Sequence, residues 1–258
     1  MADRTILLDK QIDTFHRQGF LAIEQLTTTG EVSRIRDIFD KLFNEQAGRD
    51  DGDQFDLLGT GDDEKPESLP QIMYPAKYAP ELNDTLLRQN TSIALSQLFG
   101  QQVEASFFHA INKPANHGAE TPWHQDAAYW NPAQKHNKIS VWVPLQDVTV
   151  ENGCMQFIPN SHNLDILPHR NINDDPRVHG LELIPEEQDK IKEQAVPCPL
   201  PAGGATFHNG YTLHYAGPNQ TANPRRAIIL EAELPPVDRK KPLQFPWLDK
   251  REQARKQQ

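Results

Sequence analysis

Beyond Gly100 the chain falls into short runs rich in β-branched and aromatic residues, each closed by turn-forming residues: 102–112, 121–130, 138–146, 154–159, 204–216 and 225–234. Strands this short bury enough apolar surface only when many of them share a core, so their recurrence predicts a sandwich or barrel. Asn152-Gly153, set between Asp147-Val148-Thr149-Val150 and Cys154-Met155-Gln156-Phe157, suits a tight turn with positive φ and predicts a hairpin. No internal repeat and no low-complexity tract interrupts the pattern.

The first hundred residues read differently. Leu8, Ile12 and Phe15 recur at helical spacing over 7–18, Gly19 offers a C-cap, and Phe20-Leu21-Ala22-Ile23 reads as a short strand. From about Thr29 to Gln46, Val32, Ile35, Ile38, Phe39, Leu42 and Phe43 share one helical face, with Thr28 or Thr29 as N-cap. Both helices are expected to pack outside a sheet. A third helix is expected over 81–99, broken near Asn90 and ended by Gly100. Residues 47–70 carry clustered aspartates but lack the ligand alternation, central glycine and terminal glutamate of a calcium-binding EF-hand loop, so they read as a solvated loop.

Between 160 and 200, Pro168, Pro176, Pro185, Pro197 and Pro199 interrupt the strand pattern, with a polar helix-like piece over 185–194 that Pro185 can open. A long insertion in a β-sandwich reads as a lid or substrate loop. It carries His162, His169 and His179, read as surface or substrate-region residues rather than ligands. Phe245 and Trp247, in the last segment, read as anchors that pin the C-terminus. The expected organisation is one domain over 1–258: a helical part to about 100, a β core over about 100–234, and the insertion.

Composition narrows function. A formal charge of -10 with no basic concentration argues against nucleic-acid or anionic-membrane partners. No apolar run approaches the ~18 residues of a membrane span. Two cysteines, Cys154 and Cys198, make no disulfide framework, and residues 1–4 show no secretory pattern; a reducing, cytoplasmic location is expected.

Chemistry enters at Trp123-His124-Gln125-Asp126. Residues i and i+2 of a strand face the same way, so His124 and Asp126 can reach one point while Gln125 points away. An imidazole and a carboxylate aimed together form two thirds of a facial metal site, and two histidines with one carboxylate suit non-heme Fe(II). The segment Gly203 to Asn219 offers His208 and His214, which share strand parity, as the missing ligand. His214 precedes the turn Ala216-Gly217-Pro218-Asn219, after which Arg225-Arg226-Ala227-Ile228-Ile229-Leu230 returns as a strand. An arginine brought back beside a metal can clamp a carboxylate bidentately. Alternation alone leaves Arg225 and Arg226 open.

The His124/Asp126 pair, Asn152-Gly153-Cys154 with Ile158-Pro159-Asn160-Ser161-His162, and His214 followed by Arg225 together resemble the phytanoyl-CoA dioxygenase family. Ile111-Asn112-Lys113-Pro114 and Trp142 fall where that family has similar residues, and the match covers roughly 100–234. The resemblance implies a mainly β double-stranded β-helix, a jelly-roll or cupin-like core with flanking helices, and an Fe(II)/2-oxoglutarate-dependent oxygenase. It implies that His124, Asp126 and His214 hold iron, that Arg225 holds the distal carboxylate of 2-oxoglutarate, and that His109, Gln125 and Trp142 line the cosubstrate pocket. The spacing from His214 favours Arg225 over Arg226. The family often carries a small hydroxyl residue two positions after the distal histidine; here that residue is Ala216.

The expected reaction is hydroxylation of an unactivated C–H bond of a small organic molecule, using dioxygen and releasing succinate and CO2. Asp126 keeps the carboxylate that related halogenases replace with a small residue. Tyr74, Tyr129 and Trp130 are candidates for an apolar substrate pocket. Two rivals share parts of the pattern: a zinc-type hydrolase using the same triad, and a non-catalytic jelly-roll binding protein.

Overall fold

Alternation along the long strands creates two unlike surfaces on one sheet. The computed structural model describes residues 5–59 and 66–255; the N-terminal residues 1–4, residues 60–65 of the acidic loop and 256–258 lie outside them. In chain order the elements are α1 (Asp9–Gln18), β1 (Phe20–Ile23), α2 (Thr29–Asn44), β2 (Gln54–Asp56), β3 (Pro70–Met73), α3 (Pro75–Tyr78), α4 (Leu86–Phe99), β4 (Ser106–Lys113), β5 (Thr121–His124), β6 (Gln134–Pro144), β7 (Met155–Phe157), β8 (His169–Asn171), β9 (Leu181–Leu183), α5 (Pro185–Ile191), β10 (Val196–Cys198), β11 (Ala205–Asn209), β12 (His214–Ala216), β13 (Arg225–Asp238) and α6 (Pro246–Arg255). A large sheet runs β1-β11-β6-β13-β4-β3-β2, and a small sheet runs β10-β7-β12-β5, with every pairing antiparallel. These two sheets form the jelly roll; β8 and β9 pair apart, inside the insertion.

One face of the large sheet carries Ile139, Val141, Val143, Phe207, Ile228 and Leu230, all buried. The apolar stripes of the helices close over it: Phe15 from α1, Val32, Ile35, Phe39 and Leu42 from α2, and Leu87, Ala94, Leu95 and Leu98 from α4 belong to the same core cluster. Helical periodicity of 3.6 and strand periodicity of 2 thus meet on one surface, and burial of whole aliphatic side chains at roughly 1.5–3 kcal/mol each favours the layer. The intervening residues Ser140, Trp142, His208, Arg225, Ile229 and Glu231 face the opposite way, toward the small sheet, and line a cavity between the sheets.

Several elements differ from the sequence-based reading. No break occurs at Asn90: α4 runs through it, and the buried side chain donates from Nδ2 to the Leu26 carbonyl at 2.7 Å while its Oδ1 has no partner. The run 204–216 is two strands in two sheets, β11 and β12. Chain reversal between them passes Gly210, where a Cβ would lie 2.0 Å from the Trp130 ring, so only glycine fits. The turn at Asn152-Gly153 forms, with Gly153 at φ +87°, but residues 147–150 make no strand beyond one bridge from Val148 to Leu200. Asn152 takes their ladder groups: its Oδ1 accepts from Thr149 N and its Nδ2 donates to the Asp147 carbonyl. Strand β5 ends at His124, and Asp126–Tyr129 form a 3-10 turn. The C-terminal segment, expected only to pin the chain end, contains α6; Trp247 Nε1 donates to the Ala128 carbonyl and anchors it. No helix among the described residues is long and apolar enough to cross a membrane.

Candidate metal and cosubstrate site

β5 and β12 are neighbours in the small sheet, and their register sets His214 directly opposite His124. The two rings lie 4.1 Å apart, centre to centre. Each uses Nδ1 to donate to a carbonyl two residues earlier, His124 to Pro122 at 2.7 Å and His214 to Thr212 at 2.9 Å. These local bonds fix the tautomer and leave the Nε2 lone pair of each ring exposed toward a common point. Gln125 keeps extended backbone angles of φ -118° and ψ 130°, so Asp126 still projects beside His124 although the strand has ended. Asp126 Oδ1 lies 3.8 Å from His124 Nε2 and 3.5 Å from His214 Nε2.

The three donor atoms fall within 4.8 Å of one another. Two ligands at right angles on a metal, with bonds of about 2.1 Å, sit about 3 Å apart, so a small inward movement completes the site. The donor set of two imidazoles and one carboxylate fits Fe(II) with open positions. Burial pushes the His124 and His214 imidazoles below their ordinary range, which keeps them neutral and able to ligate. Burial acts on the Asp126 carboxyl in the opposite sense, but the surrounding imidazoles, His214 foremost, outweigh it and hold the group well below the usual carboxylate range. Asp126 Oδ2 is held separately, accepting from Ser140 Oγ at 3.1 Å and from His208 Nε2 at 3.2 Å.

Arg225 opens β13 with its side chain in the same cavity. It is 2% exposed, and its Nε and Nη1 have no hydrogen-bond partner. Its Cζ lies 5.4 Å from the centre of the Trp142 ring, which supports the cation from one side. Burial pulls the guanidinium down to about 9. A buried cation with unpartnered donors, on a residue that lines a cavity, has the character of an anion site. Arg226, the rival, points away, and its Nη2 donates to Asp40 of α2 at 3.0 Å. Lys113, register partner of Arg225, is fully buried; its Nζ donates to the Ala216 and Gly217 carbonyls and ties the end of β12 to β4. Thr121 lies directly opposite Ala216 and lines the cavity, so a hydroxyl sits beside the position where the family often carries one.

Among the other residues singled out from the sequence, His109 and Trp142 line the cavity and Gln125 does not. His109 stacks on Phe108, its Nε2 has no partner, and burial pushes it down to about 4, so it is neutral at pH 7. The Gln125 amide donates to the Tyr211 carbonyl at 2.9 Å and accepts from Leu167 N at 2.9 Å, binding the insertion to the triad segment. Of the insertion histidines, His179 lines the cavity and His162 is half-buried against α1. His169 is buried and accepts from Gln125 N at 3.1 Å, a structural role rather than a surface one. The pair His208 and Ser140 was not read from the sequence, since their shared approach to Asp126 depends on the register of β11 with β6.

The cavity encloses about 550 Å³ and joins the triad, Arg225 and a wall of aromatic residues. The phytanoyl-CoA dioxygenase family profile matches residues 15–227, most of the chain. The chain belongs to the phytanoyl-CoA dioxygenase family. Members are non-heme Fe(II)/2-oxoglutarate-dependent dioxygenases, and this protein is one, with Fe(II) and 2-oxoglutarate as its cofactors. The phytanoyl-CoA dioxygenase domain-containing protein 1 of Danio rerio is 24% identical over 88% of this chain and 91% of its own length. A probable alpha-ketoglutarate-dependent hypophosphite dioxygenase of Stutzerimonas stutzeri is 23% identical over 83% of this chain and 74% of its own. The solved structure of EvdO2 from Micromonospora carbonacea var. aurantiaca, complexed with 2-oxoglutarate, is 34% identical and superposes with a TM-score of 0.80, covering 94% of this chain and 97% of that one.

Proposed function

We propose that this family member hydroxylates an unactivated C–H bond of a small organic molecule, with His124, Asp126 and His214 holding the iron and Arg225 holding the distal carboxylate of 2-oxoglutarate. The observation that carries the reading is the pairing, in one cavity, of three converging donor atoms with a buried guanidinium whose Nε and Nη1 are unpartnered. A metal-water hydrolase has no use for that cation, and a binding protein has no use for the triad.

Bound iron and 2-oxoglutarate supply the oxidising power that converts dioxygen into a C–H hydroxylating agent, with succinate and CO2 released. The chain supplies position and an apolar setting. His124 and His214 keep their protons on Nδ1, against Pro122 and Thr212, so that both Nε2 atoms ligate. Arg225 orients the cosubstrate by its far carboxylate, with Trp142 beneath the guanidinium and the Thr121 hydroxyl as a second donor. Phe55, Leu57, Tyr74, Phe108 and Trp130 give the rest of the cavity an apolar wall.

That apolar wall also bears on substrate. The cavity's other cation, Lys138, pairs with Glu231 at 2.7 Å, so beyond Arg225 no unpaired cation lines it among the described residues. The hypophosphite named for one relative is an anion, and this wall supports instead a neutral molecule with an apolar face. Succinate release from 2-oxoglutarate, measured across candidate compounds with anaerobically loaded enzyme, tests the reading. Wild type is expected to form succinate and Asp126→Ala and His214→Ala to form none; substantial turnover in either variant refutes the ligand set.

A further inference from the structure

His208 and Ser140 are register partners on β11 and β6, so their side chains stand side by side on the cavity face of the large sheet. Both reach the same oxygen of Asp126, Oδ2, at 3.2 and 3.1 Å. The other oxygen, Oδ1, faces the Nε2 atoms of His124 and His214. The two oxygens of one carboxylate therefore have separate surroundings. His208 Nδ1 is buried without a partner. A proton there would be a donor facing nothing, so the ring proton belongs on Nε2, where the carboxylate accepts it. The ring is 4% exposed and is packed between Phe157 and His214, at 5.5 and 4.4 Å between centres, which holds its orientation.

We propose that His208, assisted by Ser140, is a positioning residue that keeps Asp126 bound to the metal through one oxygen only. The inference rests on the reading in which His124, Asp126 and His214 hold the iron. Carboxylates readily grip a cation through both oxygens when both are free. Three protein ligands on an octahedral ion leave three positions, of which the cosubstrate needs two and dioxygen one. A second carboxylate oxygen would occupy one of them. Two donors on Oδ2 prevent this by satisfying that oxygen elsewhere and by holding the carboxylate plane in place.

The test uses the full chain loaded anaerobically with Co(II), whose visible absorption reports coordination number, and then titrated with 2-oxoglutarate. His208→Leu is expected to retain Co(II), to change the absorption, and to weaken 2-oxoglutarate binding by tenfold or more. His208→Gln, whose Nε2 can reach the same oxygen, is expected to restore both to within a few-fold of wild type. A packing role makes the opposite prediction, because leucine fills the slot beside Phe157 and glutamine fills it less well. Wild-type absorption and affinity in His208→Leu, or equal impairment in His208→Gln, overturns the proposal. Should His208→Leu fail to fold, Ser140→Ala takes its place, with a smaller change of the same kind expected and no change overturning the proposal. Asp126→Ala separates the two readings. If it binds Co(II) as wild type does, the triad assignment falls and this inference with it; if it does not, a wild-type-like His208→Leu sinks this inference alone.

Discussion

Replacing Arg225 by methionine should have two effects of opposite sign. Arg225 is 2% exposed, with Nε and Nη1 unpartnered, so its pairing with a carboxylate would be desolvated and charge-assisted. Removing one partner of such a pair costs about 2–5 kcal/mol, which is roughly 30- to 5,000-fold in Kd. Binding of 2-oxoglutarate to the anaerobic metal-loaded protein should weaken by that much, while metal affinity stays within a few-fold. The apo protein should become more stable, because methionine removes a buried cation whose burial draws its pKa from 12.5 down to about 9. Exchanging a buried charge for an apolar side chain of similar volume gains about 1–4 kcal/mol, and at about 2–4 °C per kcal/mol for a chain of this size the apo Tm should rise by several degrees. Calorimetric titration and thermal unfolding measure the two effects. Unchanged cosubstrate affinity, or a lower apo Tm with binding intact, would refute the reasoning and redirect attention to Arg226, whose alanine variant is otherwise expected to bind 2-oxoglutarate normally because it pairs with Asp40 on the outer face.

Thr121→Val deletes the one hydroxyl opposite Ala216; it should raise the Kd for 2-oxoglutarate about 13- to 160-fold, the range for one hydrogen bond of about 1.5–3 kcal/mol to a charged group, and an unchanged titration counts against Thr121 as a donor. Burial pushes His169 down to about 3, below its unfolded value of about 6.5, so the unfolded chain takes the proton first. That contribution leaves stability intact above pH 7 and removes it at about 1.4 kcal/mol per pH unit as pH falls below 6.5, near 2 kcal/mol by pH 5; urea midpoints of apo His169→Gln should decline less over this range, and equal declines reject the assignment. Gln125→Leu leaves the Leu167 N–H and the Tyr211 carbonyl without their partner. It should destabilise the fold by about 1–3 kcal/mol and speed proteolysis within 160–200; an unaltered cleavage rate argues that the insertion is held by other contacts.

Much of the fold was legible because short-range periodicity encodes it. The stripe Val32, Ile35, Phe39, Leu42 belongs to a helix in any compact structure, and α2 covers nearly the range expected. The alternation of Ile139, Val141 and Val143 with Ser140 and Trp142 likewise announces a strand with two unlike faces. The candidate ligands were legible for the same reason: His124 and Asp126 are near neighbours whose relation is set by local extended backbone. Where the reading failed, the deciding contact was distant. Asn90 looked like a break until its amide found the Leu26 carbonyl, and Gln125 looked like a pocket residue until the insertion took up its amide.

By itself the sequence determined the alternation and periodicity of the elements, the types of donor group available, and the likeness to the family. The turn after His214 and its spacing from Arg225 already favoured His214 over His208; the tertiary structure supplied the register that sets it opposite His124. His208 and His214 share strand parity, but the chain changes sheets between them, so one becomes a register partner of His124 and the other of Ser140. The same holds for Arg225 and Arg226, which the pairing of β13 sends to opposite faces. Side-chain direction along a strand follows from local geometry; which strands meet, and in what register, follows from burial summed over the whole chain.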